Sequence, residues 1–178
     1  MGQYFTPTFL DSSGRIVAAF NPDDYGSGLK LFGHSRADTP LMWAVEAMLS
    51  LDGGMKVVWA GDYAAEEPCG TNLYFLAADP QFVRFAGLIL DDVEPTTALP
   101  PRFITSDNSG YFCNADKREF IDKADLPVDD WAVRRSPLPN LTAEGGPGYV
   151  GRWARDRIFV SHQEPPADWR PAPSLVWT

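Results

Sequence analysis

An α+β fold, with a mixed, mainly antiparallel sheet and one or two helices packed on it, follows from three features of this sequence. Strand-like segments pair around short polar turns near residues 3–20 and 111–121. One strongly apolar helix, at 40–51, stands between clear start and stop signals. A continuous apolar strand follows it at 55–63. The chain has 178 residues, 44% of them hydrophobic and 13% aromatic, enough to bury one core across residues 1–178.

Residues 3–10 are rich in aromatic and β-branched side chains, and 15–20 return as a second strand after the turn Asp11-Ser12-Ser13-Gly14. Asn21-Pro22-Asp23-Asp24-Tyr25-Gly26 breaks the pattern. Residues 28–34 read as a short strand or an ordered loop. Thr39 is a helix cap and Pro40 suits the first turn. Leu41, Val45, Met48 and Leu49 point to a largely buried helix, which Asp52-Gly53-Gly54 ends. Only Glu46 and Ser50 share a polar side, expected to face solvent. The apolar run at 55–63 reads as a central strand. Residues 64–71 form a loop and 72–78 a short apolar element. Asp79-Pro80 opens a helix toward Leu90, although Leu88-Ile89-Leu90 equally suits a strand. Residues 91–101, with three prolines, read as a linker.

The second half opens with strands at 103–105, 111–113 and 118–121, the last two joined by a turn at Asn114-Ala115-Asp116-Lys117. Prolines and glycines between 137 and 148 argue for loop there. Residues 151–161 read as a strand, and 163–178 as a Pro-rich tail packed through Trp169 and Trp177.

Two strings echo each other: Trp59-Ala60-Gly61-Asp62 and Trp153-Ala154-Arg155-Asp156. With both placed on strands, they suggest related halves at 1–90 and 101–160. The strings lie 94 positions apart, whereas Phe9-Leu10-Asp11 overlays Phe112-Cys113-Asn114 at an offset of 103.

The net charge is −9. Residues 1–100 carry 13 acidic against 5 basic side chains, and 101–178 carry 11 against 10. Such a balance disfavours binding to nucleic acid phosphate and suits solubility or a basic protein partner. No apolar run is long enough to span a bilayer, and no secretory signal is visible, so the expected compartment is the cytoplasm. Cys69 and Cys113 are then expected as free thiols. No cofactor is implied.

Several strings resemble a family of small uncharacterised bacterial and phage proteins that begin Met-Gly-Gln-Tyr. They are Met1-Gly2-Gln3-Tyr4, Gly28-Leu29-Lys30-Leu31 with His34-Ser35, Ala44-Val45-Glu46, Val58-Trp59-Ala60-Gly61-Asp62-Tyr63, Asn72-Leu73-Tyr74, Pro137-Leu138-Pro139 with Leu141-Thr142-Ala143-Glu144-Gly145, and Gly151-Arg152-Trp153-Ala154-Arg155-Asp156. The resemblance runs in order over most of the chain and carries no known chemistry. It implies a protein of phage or mobile-element type. Members carry Glu where Gly33 stands here, and a longer Gly-rich stretch where this chain has Gly146-Pro147-Gly148.

The candidate catalytic residues are His34, Asp62 and Asp156. His34 is one of two histidines and follows a lysine-bearing segment; it reads as a general base or as a loop histidine bonded to a carbonyl. Asp62 and Asp156, brought together at strand ends, would serve as acid and base or hold a divalent ion; held apart, each caps a strand end or turn, with Trp59 and Trp153 as core. A ligand site would combine Lys30, His34, Trp59, Asp62, Trp153 and Asp156. Cys69, Cys113, His34 and His162 lack the paired spacing of zinc sites, so no metal is expected. The amino-terminal Met-Gly-Gln-Tyr-Phe-Thr fits a myristoylation pattern, but the aromatic run behind it reads as a strand. The leading function class is an acidic interaction protein that engages a protein partner. The rival is a small hydrolase using His34 with Asp62 or Asp156.

Overall fold

The computed structural model describes residues 3–51, 53–79, 109–146 and 148–173. Strand β1 (Phe5–Leu10) returns as β2 (Ile16–Ala19). Asp11 holds the turn between them, its Oδ1 accepting from the backbone N–H groups of Ser13 and Arg15 at 2.8 and 3.0 Å. A 3-10 turn at Pro22–Tyr25 leads to helices α1 (Leu31–His34) and α2 (Pro40–Leu49). Thr39 caps α2, accepting from the Met42 N–H at 3.3 Å. Then come β3 (Met55–Gly61) and α3 (Leu73–Ala77), the latter capped by Asn72. The second half contains β4 (Tyr111–Asn114), β5 (Glu119–Asp122), a 3-10 turn at Lys123–Asp125, α4 (Leu138–Thr142) and β6 (Ala143–Gly146). It ends with β7 (Tyr149–Val150), β8 (Arg157–Ser161) and β9 (Arg170–Pro171).

These strands form one mixed, mostly antiparallel sheet in the order β2-β1-β3-β8-β4-β5-β9, with β6 and β7 branching from β3. One edge of β3 is fully occupied by β1. The other is shared: β8 pairs antiparallel at Met55 and Lys56, and β6 pairs parallel at Trp59 and Ala60. Both faces of β3 are covered, which is why its sequence is continuously apolar. Val57 and Trp59 pack into the main core with Leu41, Val45 and Leu49 of α2. Val58 and Ala60 pack on the opposite face with Leu10 and with Leu73 of α3.

The ladders repeat. Thr8 pairs with Ala19 and with Val58; Tyr111 pairs with Asp122 and with Ser161. Each residue of the first set lies 103 positions before its counterpart in the second. The central pair Met55 and Ile158 has the same separation, so the pairing pattern has an approximate twofold axis there. The offset of the two hairpins therefore extends to the third strand of each half. The offset of 94 does not, because Trp59 lies in β3 whereas Trp153 lies in a turn that precedes β8.

Other expectations are corrected. The strand expected at 151–161 begins only at Arg157, because residues 152–156 turn to lay the Trp153 ring into the core. Residues 31–34 are a helical turn rather than a strand or loop. The Pro- and Gly-containing stretch after 137 is not all loop: Pro139 fits the first turn of α4, and β6 follows. Glu46 does not face solvent. It is buried and accepts from the Lys123 ammonium at 2.7 Å, a counter-ion that the second half supplies. The tail packs through Trp169, whose ring meets Phe159 edge-on at 5.9 Å. The expected helix or strand at 79–90, the linker, the strand at 103–105 and Trp177 lie wholly or largely outside the described residues. No helix among the described residues is long and apolar enough to cross a membrane.

Candidate functional site

His34 sits at the end of α1 with its imidazole fully buried, at 0% exposure. The Trp59 indole Nε1 donates to His34 Nδ1 at 3.1 Å. An indole nitrogen can only donate, so Nδ1 is the acceptor and the proton rests on Nε2. That nitrogen donates to the Gly28 carbonyl at 2.8 Å. Both ring nitrogens are thus engaged. Burial pushes the imidazole pKa below its usual 6.5, against the opposing pull of the Gly28 carbonyl and Asp23. The ring is a neutral clamp between the 28–34 segment and the central strand, with no nitrogen facing a substrate.

Trp153 has a matching arrangement. Its ring is fully buried and its Nε1 donates to Glu119 Oε2 at 2.9 Å. Glu119, also fully buried, is ion-paired with Arg152 and accepts from Arg170 Nε at 3.0 Å. Trp59 and Trp153, the two fully buried tryptophans among the described residues, are each served by a buried polar acceptor.

The two aspartates do not converge. Asp62 ends β3, its Oδ1 accepting from the Tyr4 N–H at 3.2 Å. Asp156 precedes β8, its Oδ2 accepting from Lys117 Nζ at 2.5 Å and Asn114 Nδ2 at 2.8 Å. The Asp156 carbonyl accepts from the Val57 N–H. Val57 and Asp62 are five residues apart on one extended strand, so the two sites are roughly 17 Å apart. Each carboxylate ties its own segment to a distant one, Asp62 to Tyr4 and Asp156 to Asn114 and Lys117. Lys30 stands at the start of α1, its carbonyl accepting from the His34 N–H at 3.4 Å, and its ammonium lies 5.2 Å from the Tyr4 ring centroid. Tyr74 borders this end too, and its phenol pKa is raised by burial first and then by Asp62, Asp23 and Tyr4. His34 and Trp59 are brought together, and Lys30 and Asp62 each touch Tyr4; Trp153 and Asp156 belong elsewhere.

Among the described residues no group of three or more His, Cys, Asp or Glu side chains is placed to hold a metal ion. Cys69 is exposed, whereas Cys113 is buried and its thiol pKa is pushed up by that burial to about 11.

Among the described residues the most exposed large hydrophobic side chain lies in the segment between β5 and α4. Trp131 is 74% exposed at the tip of the loop 127–135. Asp129 holds that loop, its Oδ1 accepting from the Trp131 and Val133 N–H groups at 3.0 and 2.9 Å. Arg135 Nε donates to Asp129 Oδ2 at 2.7 Å, and its Nη1 reaches Ser35 Oγ at 3.1 Å. The same guanidinium lies 4.3 Å from the ring centroid of Phe32, which is 64% exposed. Val128, 55% exposed, belongs to the same loop. Asp125 and Asp130 are exposed beside it, and Asp122 is half-buried. The local signal in the sequence is Asp129-Asp130-Trp131, an Asx-type turn that carries an aromatic residue.

Comparison with family models, with curated proteins and with solved structures gives no match.

Proposed function

We propose that this protein is a non-catalytic interaction protein of the cytoplasm that engages a basic protein partner through the surface around Trp131. The observation that carries the reading is a large aromatic side chain held out to solvent by a pinned loop, beside Asp122, Asp125 and Asp130. Trp, aromatic and Arg anchors contribute most of the energy at protein interfaces, and a rigid loop loses little entropy on binding. The acidic rim and the net charge of −9 favour a basic partner and fast association. The hydrolase reading finds no support in the geometry: His34 is buried with both nitrogens engaged, and Asp62 and Asp156 sit far apart.

Affinity capture from the host with the wild-type chain, followed by identification and purification of the captured protein, tests the reading. The expected partner is basic, and Trp131→Ala weakens its binding by about thirtyfold, the effect of a hot spot of ~2 kcal/mol. Full binding by Trp131→Ala, or an acidic partner, would remove the basis for it.

A further inference from the structure

Beside the Trp131 loop lies a cavity of about 440 Å³. Its floor is β5, through Phe120, Ile121 and Asp122. One wall is the segment Asp125, Leu126 and Pro127; the other is the strap that contains β9, through Pro171, Ala172 and Pro173. The strap is fixed. Ala172 N–H donates to the Phe120 carbonyl at 2.7 Å, Arg170 N–H donates to the Arg118 carbonyl at 3.1 Å, and the Arg170 side chain reaches buried Glu119. Pro127, Pro137, Pro171 and Pro173 all line the cavity, so its walls have few conformations to lose.

The lining side chains are apolar except for those of Asp122 and Asp125. Among the described residues neither forms an ion pair. Asp122 Oδ1 accepts only the local Ala124 N–H, at 2.8 Å. Two cations flank this turn, and among the described residues neither pairs with Asp122 or Asp125. Lys123 points inward to Glu46. Arg134 Nη1 donates to the carbonyls of Lys123 and Ala124 at 3.3 and 3.1 Å.

We infer that this cavity is a subsite for a lysine or arginine side chain of the partner. The inference rests on the reading of a basic partner and adds where its charge is read. The aliphatic stem of such a side chain packs on Phe120, Ile121 and Leu126, while its cationic head meets Asp122 and Asp125. The volume lies at the low end of the range for ligand pockets, about 300–1,000 Å³, and suits one or two side chains rather than a large ligand.

The test is an amide NMR titration of the full chain with Nα-acetyl-lysine amide and Nα-acetyl-arginine amide, with Nα-acetyl-norleucine amide as the uncharged control. Saturable shifts confined to residues 120–127 with the two cations, and about tenfold weaker binding in Asp122→Asn/Asp125→Asn with its spectrum otherwise intact, support the subsite. Equal shifts with the norleucine amide would make the cavity merely apolar and overturn the inference. So would saturation seen only after removal of residues 174–178, which would make the chain's own end the occupant. If neither cation binds while Trp131→Ala still weakens the captured partner, the subsite falls and the interaction surface stands.

Discussion

His34→Ala should unfold the protein more easily. The imidazole is fully buried and holds two groups, the Trp59 N–H and the Gly28 carbonyl. Its removal leaves the Trp59 N–H buried with no acceptor, at a cost of ~1–3 kcal/mol. The Gly28 carbonyl loses less, because Gly28 is exposed and water replaces the donor. The cavity left behind adds ~1–2 kcal/mol. The expected loss is about 2–5 kcal/mol, or roughly 4–20 °C in Tm for a chain of this size. His34→Gln, which can accept from Trp59 and donate to Gly28, should recover part of it. Differential scanning calorimetry and urea unfolding measure both variants. A His34→Ala protein that melts with the parent would refute the clamp, and so would one that keeps its stability but loses partner binding.

The same burial fixes the sign of a pH effect. His34 in the fold has a pKa below its usual 6.5. As pH falls through that value the unfolded chain takes up a proton that the folded chain refuses, so the unfolded state gains. Stability from the neutral clamp is complete above pH 6.5. It is lost below that pH by up to ~1.4 kcal/mol per unit, until the folded imidazole itself protonates. The difference in Tm between the wild type and His34→Gln should therefore shrink as pH falls from about 7.5 to about 5.5.

Two further outcomes are expected. Gly54 has φ +86°, and a Cβ there would lie 2.1 Å from the Ile158 carbonyl oxygen at the central β3–β8 crossing. Gly54→Ala should cost about 3 kcal/mol or more, whereas Gly14→Ala, at φ +85° with open space around it, should cost ~1–2 kcal/mol; equal melts would refute the close-approach argument. Thiol labelling of the native protein should modify exposed Cys69 and spare buried Cys113, which reacts only after unfolding; rapid native labelling of Cys113 would contradict its burial.

What the sequence revealed is the part governed by local chemistry. The Asp11 turn, the Thr39-Pro40 helix start and the two-sided burial of β3 all follow from neighbouring residues, and each is present. The overlay of Phe9-Leu10-Asp11 on Phe112-Cys113-Asn114 has the same offset as the hydrogen-bond registers of the two hairpins. The more conspicuous Trp-Ala-x-Asp echo misled, because the repeat resides in hydrogen-bond registers and not in side chains. At the offset of 103, Trp59 corresponds to His162 rather than to Trp153. Glu46 was misplaced because its counter-ion, Lys123, comes from 77 residues away. Asp62 and Asp156 do not meet at the ends of adjacent strands because β8 pairs only with Met55 and Lys56, at the start of β3, and β6 takes the edge near Asp62. The 127–135 loop drew no notice because its stiffness depends on Arg135 reaching back to Ser35 and Phe32, a contact no local pattern announces.

The central claim is that the acidic and aromatic surface around Trp131 is where this protein meets its partner. Hydrogen–deuterium exchange on the complex with the captured protein tests that most directly. The account predicts new protection concentrated in residues 120–137, with the Tyr4, Lys30, Asp62 and Tyr74 end unchanged. Protection at that end, with residues 120–137 exchanging as in the free chain, would contradict it.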